Sequence, residues 1–145
     1  MKIRITCLAD LDADRILKSR GLGPDRQAEK FLASEVKRLS DPYVPFRQGT
    51  LKNTAQIVDD GAGTALVYNT PYAHYQWHGE VMGPNVLTDE GWRSMAKKGA
   101  KKYTGRPLTY SGGGLRGPRW TERMMADRHD DVVRSLANYV GGKPK

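Results

Sequence analysis

Two histidines four positions apart are the first side chains in this 145-residue chain whose spacing suggests chemistry. On a helix, His74 and His78 would lie on one face, as paired metal ligands do, with Glu80 just beyond them. The zinc-protease pattern needs a glutamate directly after the first histidine, but Tyr75 occupies that position. Because Cys7 is the single cysteine, no cysteine cluster can complete a site. We therefore expect packing or interface histidines and no bound metal.

Motifs for other kinds of catalysis are weak. Ser111 precedes three glycines, but no Gly-x-Ser-x-Gly elbow surrounds it. The run Gly112–Gly114 has neither the preceding strand nor the following Lys-Ser/Thr of a phosphate-binding loop. The acidic pairs Asp59–Asp60 and Asp130–Asp131 fit a hairpin turn and a solvated helix face. We therefore predict a protein that is not an enzyme, with no cofactor and no small-molecule substrate.

The net charge of +8 is concentrated in one segment. Outside residues 93–119, sixteen basic residues balance sixteen acidic ones. Inside that segment there is no acidic residue, and its basic residues are Arg93, Lys97, Lys98, Lys101, Lys102, Arg106, Arg116 and Arg119. The positive charge therefore belongs to one loop or arm.

Three interpretations of this basic segment are open. Tyr103 and Tyr110 lie among the cations, a mixture that non-sequence-specific nucleic-acid-binding surfaces use. The second interpretation is a solvated, flexible loop, and the third is an arm that docks on an acidic neighbouring subunit. We favour the docking arm, because ordering a glycine-rich segment is costly unless a partner surface fixes it.

The secondary structure that must position these residues can be predicted from the sequence pattern. The pattern indicates one α+β domain over residues 1–145. Alternating and apolar patterns predict a strand at 2–8, a short helix at 12–20, a longer helix at 24–39 and a hairpin of strands at 54–58 and 64–68. Residues 72–77 suit a helical turn or, nearly as well, a strand. A last helix at 120–140 places Met125, His129, Val132, Leu136 and Val140 on one face, with His129 expected at an interface. The small antiparallel sheet should pack with the long helix before the hairpin and with the C-terminal helix.

Residues 80–118 break this pattern. They are rich in glycine, proline and cations, so we predict an extended basic arm without secondary structure. A helix over 92–102 is conceivable, although its polar bias leaves little apolar face. No apolar run is long enough to cross a bilayer, and residues 1–12 lack the features of a signal peptide. We expect a protein that is cytosolic when made and has no membrane partner.

Three segments resemble a known family. Residues 43–55, YVPFRQGTLKNTA, look like the VP-x-x-x-G-x-L-x-x-S/T segment of phage minor capsid and tail-completion proteins. Residues 68–79, YNTPYAHYQWHG, match the Y-N-x-x-Y-A-x-x-x-x-x-G segment that follows in those families. Residues 113–127, GGLRGPRWTERMMAD, resemble the closing W-x-x-R/E-M helix of the minor capsid branch in phages of Gram-positive bacteria. The structural motif residues are Pro45, Gly49, Leu51, Ala73 and Gly79.

The resemblance implies a structural virion component of a tailed bacteriophage or prophage. It would be present in the host cytoplasm before assembly, and would assemble as a hexameric ring at the head–tail neck, between the head connector and the tail. Its expected partners are other copies of itself, neighbouring neck and tail proteins, and packaged DNA as a non-specific contact. For the tyrosines and tryptophans among the candidate interface residues, a position in the core is the alternative. The candidates are Tyr72, Tyr75, Trp77, His78, Trp120 and Met124.

The alternative function is a small non-sequence-specific nucleic-acid-binding protein that uses residues 93–119. A metal-dependent nuclease built on His74 and His78 comes third.

Overall fold

The computed structural model describes residues 1–5, 18–83, 85–89, 91–94 and 101–141. The α+β class is confirmed. The helices that lie wholly within the described residues are α1 (Gln27–Ser40), α2 (Thr50–Asn53), α3 (Ala73–His78) and α4 (Trp120–Tyr139). The strands are β1 (Lys2–Ile5), β2 (Ala55–Asp59), β3 (Thr64–Tyr68), β4 (Glu80–Gly83), β5 (Asn85–Thr88), β6 (Gly91–Ser94) and β7 (Lys102–Pro107).

The main sheet is antiparallel, with strand order β1-β3-β2. The predicted hairpin is confirmed: β2 and β3 pair from Ala55 opposite Tyr68 to Asp59 opposite Thr64. Its turn is closed by Asp60, whose carboxylate accepts hydrogen bonds from the Ala62 and Gly63 amides. β3 is the central strand and is buried along most of its length, as its run of strand-forming apolar residues requires.

Helices α1 and α4 complete the core. From α1, Ala33, Val36 and Leu39 are buried against the sheet and α4. α1 begins at Gln27 rather than at Pro24, because Arg26 before it adopts a left-handed conformation with φ of 53°. Pro24 therefore lies in the preceding turn.

Helix α4 agrees with the predicted bounds but differs in its buried face. Its buried residues are Trp120, Thr121, Met124 and Val132, whereas the His129 side chain is 63% exposed. The helix bends at Arg128, where φ is −131° and ψ is 23°. A stripe drawn for a straight helix does not continue through such a bend, so the prediction of an apolar face that includes His129 is wrong.

The prediction that residues 80–118 lack secondary structure is wrong for much of residues 80–107. β4 pairs antiparallel with β7, and β5 pairs antiparallel with β6. Residues 92–94 belong to β6, so a helix does not begin there. The glycines that suggested a loop instead accompany a register shift in the pairing of β4 with β7 and a positive φ of 71° at Gly105. We call β4 and β7 together the arm hairpin.

Other predictions lie largely outside the described residues. These are the end of the first strand, Cys7, most of the helix at 12–20 and the segment 95–100. Within the part of the chain that is described, no helix has the length and apolar character to cross a membrane.

Candidate interaction site at the arm hairpin and its base

The arm hairpin leaves the domain and returns to it at one point. At this base the Leu108 amide donates to the Gly79 carbonyl at 2.8 Å. Gly79 has a φ of 82°, and a Cβ atom there would lie 2.8 Å from the Cβ of Pro118. Nearby, the Arg119 amide donates to the Trp77 carbonyl at 3.0 Å. Glycine is therefore required at position 79, where the start of the arm hairpin lies close to the segment that follows it.

The family-like segments converge beside this base. The Phe46 amide donates to the Ser111 carbonyl at 3.3 Å, and the Gly117 amide donates to the Tyr43 carbonyl at 3.1 Å. Leu51 and Ala73 are buried in the core, and Gly49 has a φ of 78° that suits the left-handed turn before α2. These three motif residues lie in the packed part of the domain, and their structural role stays a prediction.

Arg116 ties the same region together from inside. Its guanidinium donates to the carbonyls of Asp41, at 3.1 Å, and Val44. It also lies 5.0 Å from the centre of the Phe46 ring. The basic segment of the sequence predicts that Arg116 belongs to the arm. This prediction is wrong for Arg116, because its guanidinium binds backbone carbonyls within the domain.

An open groove of about 450 Å³ lies over the junction. Phe46 is 38% exposed and Tyr72 is 42% exposed along it. Its lining residues are Pro45, Phe46, Arg47, Gln48, Gly49, Thr50, Leu51, Tyr72, Gln76, Thr109, Tyr110 and Ser111. Pro45 and Tyr72 thus lie at one accessible surface, whereas Gly79 lies at the arm base.

The outer strand of the arm hairpin is open to solvent. All residues of β7 are exposed, including Lys102 and Arg106. Neither of these two cations forms an ion pair with a described residue. Arg119 is also exposed but is 3.5 Å from Glu122, and Lys101 is half-buried. The side chain of Arg93, together with Lys97 and Lys98, lies outside the described residues.

Tyr103 connects this strand to α3. Its hydroxyl is 3.1 Å from His74 Nε2, and its ring centroid is 5.4 Å from that of His78. The two imidazole centroids are 4.3 Å apart. Burial, the His78 charge and the amino terminus, in that order, lower the pKa of His74. Burial first, then Tyr75 and Glu80, raises the pKa of Tyr103.

The histidine pair therefore contacts the arm. Among the described residues there is no group of three His, Cys, Asp or Glu side chains that could hold a metal ion.

The candidate interface residues divide into two groups. Tyr72 and His78 are exposed, and Tyr75 and Trp77 are half-buried. Trp120 and Met124 are 0% exposed within the chain itself. Trp120 therefore follows the core alternative, and the assignment of Met124 as an interface residue is corrected to a core residue. Trp120 packs edge-on against Tyr68 with ring centroids 5.3 Å apart.

Several residues of the site carry no signal in the sequence. Gln76 accepts a 2.7 Å hydrogen bond at its carbonyl from the Tyr110 hydroxyl. Leu108 and Phe46 contribute through backbone contacts between distant segments. Backbone hydrogen bonds leave no mark on residue type, so only the pairing of His74 and His78 could have pointed to the contact with the arm.

The fold and the site define a small α+β protein whose motif residues build a packed junction and hold an exposed, cationic arm. The family described as minor capsid protein matches residues 12–138, and the chain belongs to this family. It is therefore a structural component of a phage virion. Comparison with curated proteins and with solved structures found no match.

Proposed function

We propose that the chain acts at the head–tail neck of the phage particle, where its copies form a ring that joins the head connector to the tail. Family membership supports the place in a virion. The observation that supports a joining role is the arm hairpin, an exposed cationic element that joins the domain at a narrow base and contacts α3 through Tyr103.

The outer face of the arm hairpin favours a protein partner. An isolated two-stranded sheet is marginally stable in water, so β4 and β7 gain from a further surface. Lys102 and Arg106 present two exposed positive charges that no described residue neutralises. An acidic surface on a neighbouring virion subunit would complement them and would fix the register of docking.

The base explains how docking of an arm can orient a whole domain. Gly79, Leu108 and Pro118 meet at this base, and Arg116 braces the adjacent segments. A partner that holds the arm therefore also holds the domain at a defined angle. Closed rings require such a repeated, fixed angle between neighbours.

The experiment compares two charge-reduced variants in a phage that lacks the native gene. The arm variant carries Lys102→Ser and Arg106→Ser. The control carries Lys18→Ser and Arg20→Ser, which remove the same charge from two exposed residues before α1. The arm variant should give filled heads beside separate finished tails, and the control should give joined particles.

Electron microscopy of the lysates tests the proposal in two ways, through the deletion and through the comparison of the two variants. Deletion of the gene should give unjoined heads and tails. If deletion left normal particles, or if the arm variant joined heads to tails as well as the control does, the proposed role of the arm would be wrong.

Nucleic-acid binding is the second candidate, favoured by the exposed Lys102 and Arg106. The structure removes part of one argument for it, because Tyr110 is half-buried and donates to the Gln76 carbonyl, whereas Tyr103 is 43% exposed. Tyr110 is then not arranged to stack on bases beside the cations. Titration of random single-stranded DNA with salt distinguishes the two functions. Submicromolar affinity with a log–log salt slope of about −2 or steeper would support nucleic-acid binding.

A further inference from the structure

The contact between the arm hairpin and α3 is a small cluster of titratable side chains. Tyr103 of β7 reaches His74 with its hydroxyl, 3.1 Å from Nε2, and lies beside His78 with its ring. The two imidazoles lie edge to face, with centroids 4.3 Å apart. Tyr103 of the arm hairpin therefore contacts both histidines of α3.

Protonation changes every contact in this cluster. A neutral His74 can accept the Tyr103 hydroxyl hydrogen at Nε2, but a protonated ring cannot accept there. Protonation of His78 as well places two positive charges side by side. The other titratable groups facing the cluster are Tyr75 on α3, Glu80 on β4 and the amino group of Met1.

The groups around His74 disfavour the protonated, charged form of its imidazole. Glu80 is the one acidic group among them, and the amino group of Met1 is positive. Burial comes first and these charges second in holding the pKa of His74 below its usual value. The contact of the arm with α3 is therefore more favourable with neutral histidines than with protonated ones.

We propose that Tyr103, His74 and His78 form a pH-sensitive latch, which holds the arm hairpin against α3 when His74 is neutral and accepts the Tyr103 hydroxyl, and releases it when His74 is protonated. This inference rests on the proposed function, since it adds regulation to the arm that is assigned there to docking. Release would free the Tyr103 hydroxyl from His74 and let the arm hairpin move away from α3 toward a partner.

Hydrogen exchange of the purified full-length chain tests the latch. The readout is protection of the β7 amides, corrected for intrinsic exchange, between about pH 8 and about pH 5.5. Protection in the native chain should fall about tenfold over this range, the order of change expected when one side-chain hydrogen bond is lost. In the variant His74→Gln/His78→Gln, protection should be independent of pH, because glutamine can still accept from Tyr103 but does not titrate.

Two further variants separate the latch from a general loss of stability. His129→Gln on α4 removes an exposed histidine far along the chain from the cluster and should behave as the native protein does. Tyr103→Phe keeps the ring but loses the hydroxyl, so it should lower protection at neutral pH. Protection that is flat with pH in the native chain, or that falls equally in the double-histidine variant, would overturn the latch.

Failure of the latch and failure of the docking role are distinguishable. A flat exchange profile together with unjoined heads and tails in the Lys102→Ser/Arg106→Ser phage refutes the latch and leaves docking in place. The expected exchange profile together with normal joining in that phage supports the latch and refutes the docking role.

Discussion

Substitution of Gly79 by alanine tests whether the arm base is as tightly closed as its contacts indicate. Alanine at a φ of 82° costs about 1–2 kcal/mol through left-handed backbone strain. The new Cβ would lie 2.8 Å from the Cβ of Pro118 and 3.3 Å from the Tyr110 hydroxyl. Relief of such a contact by backbone movement costs about 1–3 kcal/mol more.

Gly61 offers a matched control. Its φ is 81°, nearly that of Gly79, but nothing lies within 4 Å of a Cβ added there. Gly61→Ala should therefore show the backbone cost alone, about 1–2 kcal/mol. The difference between the two variants isolates the close approach of Gly79 to Pro118.

Urea unfolding of the two purified variants measures this difference. We expect Gly79→Ala to be less stable than Gly61→Ala by about 1–3 kcal/mol, which corresponds to a further fall in Tm of about 2–10 °C for a domain of this size. Equal stability of the two variants would refute a tightly closed base. The orienting role of the arm would then lose its structural support.

Three further predictions concern the core and the junction. Arg116→Lys keeps the charge but cannot span two carbonyls and the Phe46 ring, so it should cost about 2 kcal/mol in urea unfolding; an unchanged midpoint would contradict the internal tie. Phe31→Leu loses a stack on Tyr139 with ring centroids 4.2 Å apart and should cost about 1 kcal/mol, and a double-mutant cycle with Tyr139→Leu should show coupling of similar size. Burial raises the pKa of Tyr68 to about 12, above the value of 10.0 for a free tyrosine. Stability should therefore fall as the pH rises above about 10, and Tyr68→Phe should lessen that fall; an identical alkaline profile would contradict the burial of the hydroxyl.

The sequence predicts the main sheet and the two long helices well, for a local reason. The β2–β3 hairpin follows from an Asp-Gly turn between strand-forming residues, and α1 and α4 follow from apolar residues at helical spacing. These signals are contained within a few consecutive residues. They do not depend on what else the segment contacts.

The arm could not be predicted in this way. β4 and β7 are separated by about twenty positions, and β7 reads Lys-Tyr-Thr-Gly-Arg-Pro, with a glycine and a proline that both disfavour strands. Its pairing partners include Glu80 and Met82, which lie in β4, on the other side of the segment that connects the two strands. The same limit applies to α4, where the bend at Arg128 moves His129 to the surface.

For the candidate site, too, the sequence predicts some residues correctly and others wrongly, because burial depends on distant contacts. The type of a residue suggested interface roles for Tyr72 and His78, which are exposed, and also for Trp120 and Met124, which are fully buried. Aromatic and sulfur-containing side chains suit cores and interfaces equally, so residue type alone cannot separate these two roles. Arg116 is a parallel case, because a cation in a basic segment gives no sign that backbone carbonyls will bind it.

Cryo-electron microscopy of the neck in intact phage particles tests the central claim most directly. The account predicts a closed ring of this chain between the head connector and the tail, with Lys102 and Arg106 within about 4 Å of carboxylates on a neighbouring protein. It would be contradicted if the chain occupied another part of the particle, or if it formed the ring with both arm cations facing solvent.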